Sequence, residues 1–120
     1  MDILVITSRH ELWQTLKPRF EARGPVLRVA ETLEDARKDL QTSKASLVIL
    51  DIGSDRAAIR NAVFQILSVD AMIHTAAAVA MNPEEFHDAM EGLGMLGSLP
   101  ERPAAEDVDK LLDALTALSA

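Results

Sequence analysis

The chain has 120 residues, 48% of them apolar, no cysteine and a formal net charge of −7 at pH 7. That length fits one domain with a single modest core, and the missing cysteines exclude disulfides, thiolate metal sites and cysteine nucleophiles. The acidity, together with an aromatic content of only 3%, argues against nucleic-acid binding, which needs cations to displace phosphate counterions and rings on which bases stack.

Strand and helix patterns alternate along the whole chain. Ile3 to Ile6 is a short apolar strand. Ser8 and Glu11 have the spacing of a capping box, which predicts a helix starting near Arg9, with Leu12, Trp13, Leu16 and Phe20 on its inner face. Pro18 falls inside that pattern and predicts a kink or an early end, because proline lacks an N–H and crowds the preceding turn. Val26 to Ala30 is the second strand. Thr32 and Asp35 repeat the capping pattern ahead of a second helix that turns Leu33, Ala36 and Leu40 inward. Leu47 to Asp51 is the third strand. A third helix over roughly Asp55 to Ser68 carries Ile59, Val63, Ile66 and Leu67 as its stripe.

The fourth strand lies within Ala71 to Ala80, richer in alanine than strand propensity favours. Asn82-Pro83-Glu84-Glu85 is the best helix start in the sequence, with a capping Asn, proline at the first helical position and acids at the positive end of the helix dipole. That helix is expected to carry Phe86, Ala89, Met90 and Leu93 and to stop at Gly94. Met95 to Leu99 is a short fifth strand, and Pro100-Glu101-Arg102-Pro103 a rigid connector. The last helix begins near Ala104, with Val108, Leu111, Leu112, Leu115 and Leu118 on one side.

Five βα units in this length imply an α/β fold, a five-stranded parallel sheet with helices on both faces. Right-handed crossovers favour the flavodoxin-like, doubly wound strand order 2-1-3-4-5. Residues 1–120 read as a single domain. The run Leu47-Val48-Ile49-Leu50 has no polar alternation, as expected of a central strand buried on both faces. It ends at Asp51, at the carboxyl edge of the sheet where open α/β folds place their chemistry. With the first and third strands as neighbours, Thr7, Ser8 and Asp51 meet at that edge. Asp51 has three readings: a strand-end carboxylate capping the next turn, the remnant of a functional acid, or a functional acid in use.

On Ile3-Leu4-Val5-Ile6, Leu47-Val48-Ile49-Leu50-Asp51 and the Arg102-Pro103 pair before the last helix, the chain resembles a response-regulator receiver (CheY-like) domain over nearly its whole length. The resemblance implies an aspartate that accepts a phosphoryl group from a histidine kinase, and by position that aspartate is Asp51. It equally marks what has been replaced. The acidic pair that helps hold Mg²⁺ in such domains falls on Thr7 and Ser8, and the switch hydroxyl falls on Ala80. The family's lysine falls on Arg102, or on Glu101 if the connector carries no insertion. Mg²⁺ needs an octahedral oxygen shell anchored by carboxylates, so its binding is expected to be weak or absent. Each electrostatic interaction removed from a phosphoryl-transfer site costs a few kcal/mol, roughly a hundredfold in rate. The resemblance therefore points to a degenerate receiver, or pseudo-receiver.

The other residues offer little chemistry. His10, His74 and His87 share no ligand spacing, so no metal site is expected. No serine sits in a nucleophile elbow, and Trp13 reads as an apolar-face residue. The expected function is a non-enzymatic signalling module that works through a protein partner, a histidine kinase or effector protein, or through a homodimer. The alternatives are a conventional phosphoacceptor at Asp51 and a small-ligand-binding flavodoxin-like subunit. The latter is disfavoured by the missing glycine-rich phosphate loop, since Thr7-Ser8-Arg9-His10 stands there. No stretch is long and apolar enough to span a bilayer, and Met1-Asp2-Ile3 lacks the basic flank of a signal peptide. A cytoplasmic location is the expectation.

Overall fold

The computed structural model describes residues 1–119. Five parallel strands form one sheet in the order β2-β1-β3-β4-β5, the predicted topology. They are β1 (Asp2–Thr7), β2 (Val26–Ala30), β3 (Leu47–Asp51), β4 (His74–Val79) and β5 (Gly97–Pro100). The helices are α1 (His10–Ala22), α2 (Leu33–Thr42), α3 (Arg56–Val69), α4 (Pro83–Ala89) and α5 (Ala105–Ser119). No helix among the described residues is long and apolar enough to cross a membrane.

Alternation along the strands divides the core in two. Ile3 and Val5 of β1 and Leu47 and Ile49 of β3 pack with Trp13 and Phe20 of α1 and with Val108, Leu111 and Leu112 of α5. Leu4, Ile6, Val48 and Leu50 point the other way, onto Ile59, Val63 and Ile66 of α3, Ala36 of α2 and Phe86 of α4. All five residues of β3 are buried, as its unbroken apolar run requires of a strand covered on both faces. The two-residue period carries on to the strand ends. Thr7 follows Ile3 and Val5, and Asp51 follows Leu47 and Ile49, so both side chains leave the sheet on the α1/α5 side.

Several local expectations are corrected. The Ser8 capping box does not form: Ser8 is exposed, and the N-cap of α1 is Arg9, with no side-chain cap. Instead the Arg9 N–H donates to Thr7 Oγ1 at 2.8 Å, so the residue before Ser8 shapes the turn. Pro18 does not shorten α1, which runs on to Ala22. Pro18 and Gln14, whose carbonyl loses its partner N–H, both lie on the exposed face, the side of a helix on which solvent can stand in for a lost backbone partner. Helix α4 ends at Ala89 rather than near Gly94, because Gly92 and Gly94 adopt left-handed φ values of 87° and 66° that no helix can use. The fifth strand starts at Gly97 instead of Met95, and Leu118 is exposed rather than packed. Thr32, by contrast, caps α2 by accepting from the Asp35 N–H, and Asn82 caps α4 by accepting from the Glu85 N–H.

Candidate functional site

Neighbouring strands in parallel register place Thr7 opposite Asp51 at the carboxyl edge. Arg9 follows in the turn, and Trp13 lies one helical turn further along α1, on the face turned to the sheet. These four residues converge. Asp51 is 8% exposed and accepts four hydrogen bonds. Its Oδ2 takes Thr7 Oγ1 at 2.6 Å, Trp13 Nε1 at 2.8 Å and Arg9 Nε at 2.9 Å, while its Oδ1 takes Arg9 Nη2 at 2.7 Å. The Arg9–Asp51 contact is thus a bidentate fork, the strongest geometry open to a guanidinium and a carboxylate. No buried side-chain polar atom among the described residues is left without a partner.

Burial alone would raise the Asp51 pKa. Hydrogen bonds from Arg9, Thr7 and Trp13, with the charge of Arg9, outweigh it and hold the carboxyl below its ordinary value of 3.8. The same contact with Asp51 holds the Arg9 guanidinium above its usual range. The pair is therefore ionised at neutral pH.

Arg9 also ties the edge together. Its Nη2 donates to the Glu101 backbone carbonyl at 2.6 Å, so one guanidinium links the turn after β1, the end of β3 and the β5–α5 connection. A second tie joins the neighbouring loops, where the Ala80 N–H donates to Ser54 Oγ at 2.8 Å. A cleft of about 320 Å³ remains above Asp51, lined by Thr7, Ser8, Arg9, Glu31, Ser54 and Glu101 among others.

Of the residues singled out from sequence, the structure brings together Thr7 and Asp51, with Ser8 and Glu101 along the same cleft. Ala80 immediately follows β4 and offers only a backbone N–H. Arg102 is exposed and makes no salt bridge among the described residues. Between the two candidates for the lysine position, it is Glu101 that borders the cleft. Sequence reasoning missed Arg9 and the polar role of Trp13. The signal for both was their four-residue spacing, which puts them on one side of α1. A buried tryptophan also needs an acceptor for its N–H, and Asp51 was the acid due at that edge.

The donor set around Asp51 is a poor one for Mg²⁺. No group of three or more His, Asp or Glu among the described residues is arranged to hold a metal. Arg9 contacts both carboxylate oxygens, so a cation on Asp51 would have to sit beside the guanidinium charge.

This fold, with a carboxylate at the end of β3, is the architecture of response-regulator receiver domains. Solved structures of that class match the chain nearly end to end. A LuxR family DNA-binding response regulator from Silicibacter pomeroyi superposes with a TM-score of 0.78 at 17% identity, covering 98% of this chain and 93% of that one. An orphan response regulator of H. pylori gives 0.77 at 17% identity, covering 96% and 95%. The likeness extends to a putative pilus assembly protein, CpaE2, from Sinorhizobium meliloti, with 0.77 at 12% identity, covering 96% and 99%. No protein-family model matches the sequence, and no curated protein does.

Proposed function

We propose that this chain is a receiver-fold signalling module of the cytoplasm that acts by binding other proteins, without Mg²⁺-dependent phosphorylation of Asp51 and without catalysis. The observation that carries this reading is the bidentate Arg9 fork on Asp51. A phosphoacceptor must offer a free carboxylate oxygen as nucleophile, with cations placed to neutralise the incoming phosphoryl group. Here the nucleophile already accepts four donors, and the cation beside it belongs to the chain.

Hydrogen bonds to charged groups are worth roughly 1.5–3 kcal/mol each, and every 1.36 kcal/mol is about tenfold in rate. Freeing Asp51 from even two of its donors thus costs on the order of a hundredfold or more before any chemistry begins. Thr7, Ser8 and Ala80 supply neither metal-binding carboxylates nor a switch hydroxyl to recover that cost. The internal guanidinium replaces the external signal, and output passes to a protein partner such as a kinase or an effector.

The test is intact-mass analysis after incubation with acetyl phosphate and Mg²⁺, paired with amide NMR on adding beryllofluoride. The native protein should keep its mass and spectrum. A phosphate adduct on Asp51, or shifts spreading from it, would restore a conventional receiver. A variant combining Thr7→Asp, Ser8→Asp, Arg9→Ala and Ala80→Thr should gain Mg²⁺-dependent shifts.

A further inference from the structure

Methionine ordinarily fills gaps in a core, and three of the chain's five methionines do so: Met90 is buried, and Met81 and Met95 pack against the same cluster. The other two stand in solvent, Met1 at 57% and Met72 at 84% exposure, and both line one cavity. This cavity has a volume of about 630 Å³ and opens at the amino edge of the sheet, the end opposite Asp51. His74 lines it as well. Of the three histidines, His10 lies beside Glu31 and His87 beside Asp88, whereas His74 has no acid within salt-bridge distance among the described residues.

The sheet's register explains why these three residues meet. Strand β3 lies between β1 and β4, and Ile3, Leu47 and His74 form one row across them. Ile3 and Leu47 point to the α1/α5 side of the sheet. Their row partner His74 therefore takes that side too, as does Met1, two residues before Ile3. Met72 precedes His74 by the same two residues, and Leu115 of α5 closes the cavity above them. Ala45, two residues before Leu47, stands between the methionines, and its methyl leaves the space open. Alternate strands lie roughly 10 Å apart, a span short enough for two thioethers to meet over Ala45. The backbone under all three residues is fixed. The Val26 N–H donates to the Met1 carbonyl at 3.0 Å, the His74 N–H to the Ser46 carbonyl at 3.1 Å and the Met72 N–H to Asp70 Oδ1 at 2.9 Å.

We infer that Met1, Met72 and His74 form a binding site for a soft monovalent metal ion of the class of Cu(I). Thioethers are soft donors that select Cu(I), and imidazole suits copper as well, whereas Mg²⁺, Ca²⁺ and Mn²⁺ prefer carboxylates, carbonyls and water. The carboxylates at this cavity are already engaged, Asp2 with Arg28 at 2.6 Å and Asp70 with the Met72 N–H, yet their charge still favours a cation. Lys44 at the rim works against any cation, and twice as strongly against a divalent ion as against a monovalent one. The site goes beyond the signalling function proposed above and does not depend on it. Its donors come from two separate strand starts, and two of the three are methionines, so histidine spacing alone gives no sign of it.

The first probe is Ag(I), a soft monovalent ion that stays in one oxidation state, titrated into the full chain in chloride-free buffer. Methionine methyl signals in NMR should move for Met1 and Met72, and imidazole signals for His74, while Met81, Met90 and Met95 stay in place. Zn²⁺ in excess should not displace the silver. Cu(I) itself, kept reduced by ascorbate and competed against a chromogenic chelator, then gives the affinity. Met72→Leu and His74→Gln should each weaken Cu(I) binding at least tenfold, and His87→Gln, on α4, should leave it unchanged. Thermal melts of the variants confirm that they are folded, and Met72→Leu, at an exposed position, decides the matter if His74→Gln is not. A loss below tenfold in Met72→Leu would overturn the proposal. So would silver-induced shifts confined to other methionines, or displacement by Zn²⁺. A phosphate on Asp51 would sink the phosphorylation-independent reading and leave this result intact.

Discussion

Asp51 shows how a few side chains can fix the state of a site. Its carboxylate is buried, yet its pKa is lowered, because four donors outweigh desolvation. A group whose folded pKa is depressed stabilises the fold above its unfolded value, and that stability is lost as pH falls through the folded pKa. The contribution of Asp51 to stability should therefore be fully present near neutral pH and be lost progressively as pH falls past the ordinary value of 3.8. Urea titrations followed by the fluorescence of Trp13, the chain's single tryptophan, read this directly. Arg9→Ala removes the fork and leaves a poorly compensated buried charge. It should cost about 1–3 kcal/mol at pH 7, less than for a fully buried pair because Arg9 is partly exposed, and it should move the acid limb to higher pH. An unchanged acid limb in that variant would show that Arg9 does not hold Asp51 in solution.

At the scale of single elements, capping separates what the sequence signals from what the fold uses. Thr32 and Asn82 cap as their sequence contexts predict, whereas Ser8 has the right spacing to Glu11 and caps nothing. The difference lies in where the helix begins: the turn in which Thr7 accepts the Arg9 N–H leaves Arg9, not Ser8, at the N-cap position. Thr32→Ala should thus cost about 1 kcal/mol, and Ser8→Ala should stay within about 0.5 kcal/mol of the native protein. Chemical denaturation of the two variants side by side measures both. Strand β4 is a case of tertiary override, where the alanine-rich run Ala76-Ala77-Ala78 is a buried strand because β3 and β5 pair with it on either side.

Across the whole molecule, the carboxyl edge of the sheet is held by long-range ties, and the amino edge by others such as Arg28 with Asp2 and Asp39. Arg9 bridges to Asp51 and to the carbonyl of Glu101, 42 and 92 residues away along the chain. Ser54 holds the Ala80 N–H. Such cross-links raise the free energy of local opening in the loops they join. In hydrogen exchange, Arg9→Ala should speed the amides of residues 51–54 and 101–102 while leaving those near Asp2 and Arg28 unchanged. A uniform acceleration over the whole chain would mean that Arg9 serves global stability and not the site.

The sequence by itself determined the alternation of strands and helices, the strand order, the buried central strand and the position of Asp51 at its end. These follow from periodicity and chain connectivity, which are local properties that a linear pattern records. The resemblance to receiver domains led to the expectation that Thr7, Ser8 and Ala80 replace acids and a hydroxyl. Only the tertiary structure decided what stands in their place. The Arg9 fork and the Trp13 N–H on Asp51 join α1 to a strand about forty residues later, and the Ser54–Ala80 tie joins two separate loops. No period announces such pairings; they arise when the sheet's register sets Thr7 opposite Asp51 and the first turn of α1 swings a guanidinium over both.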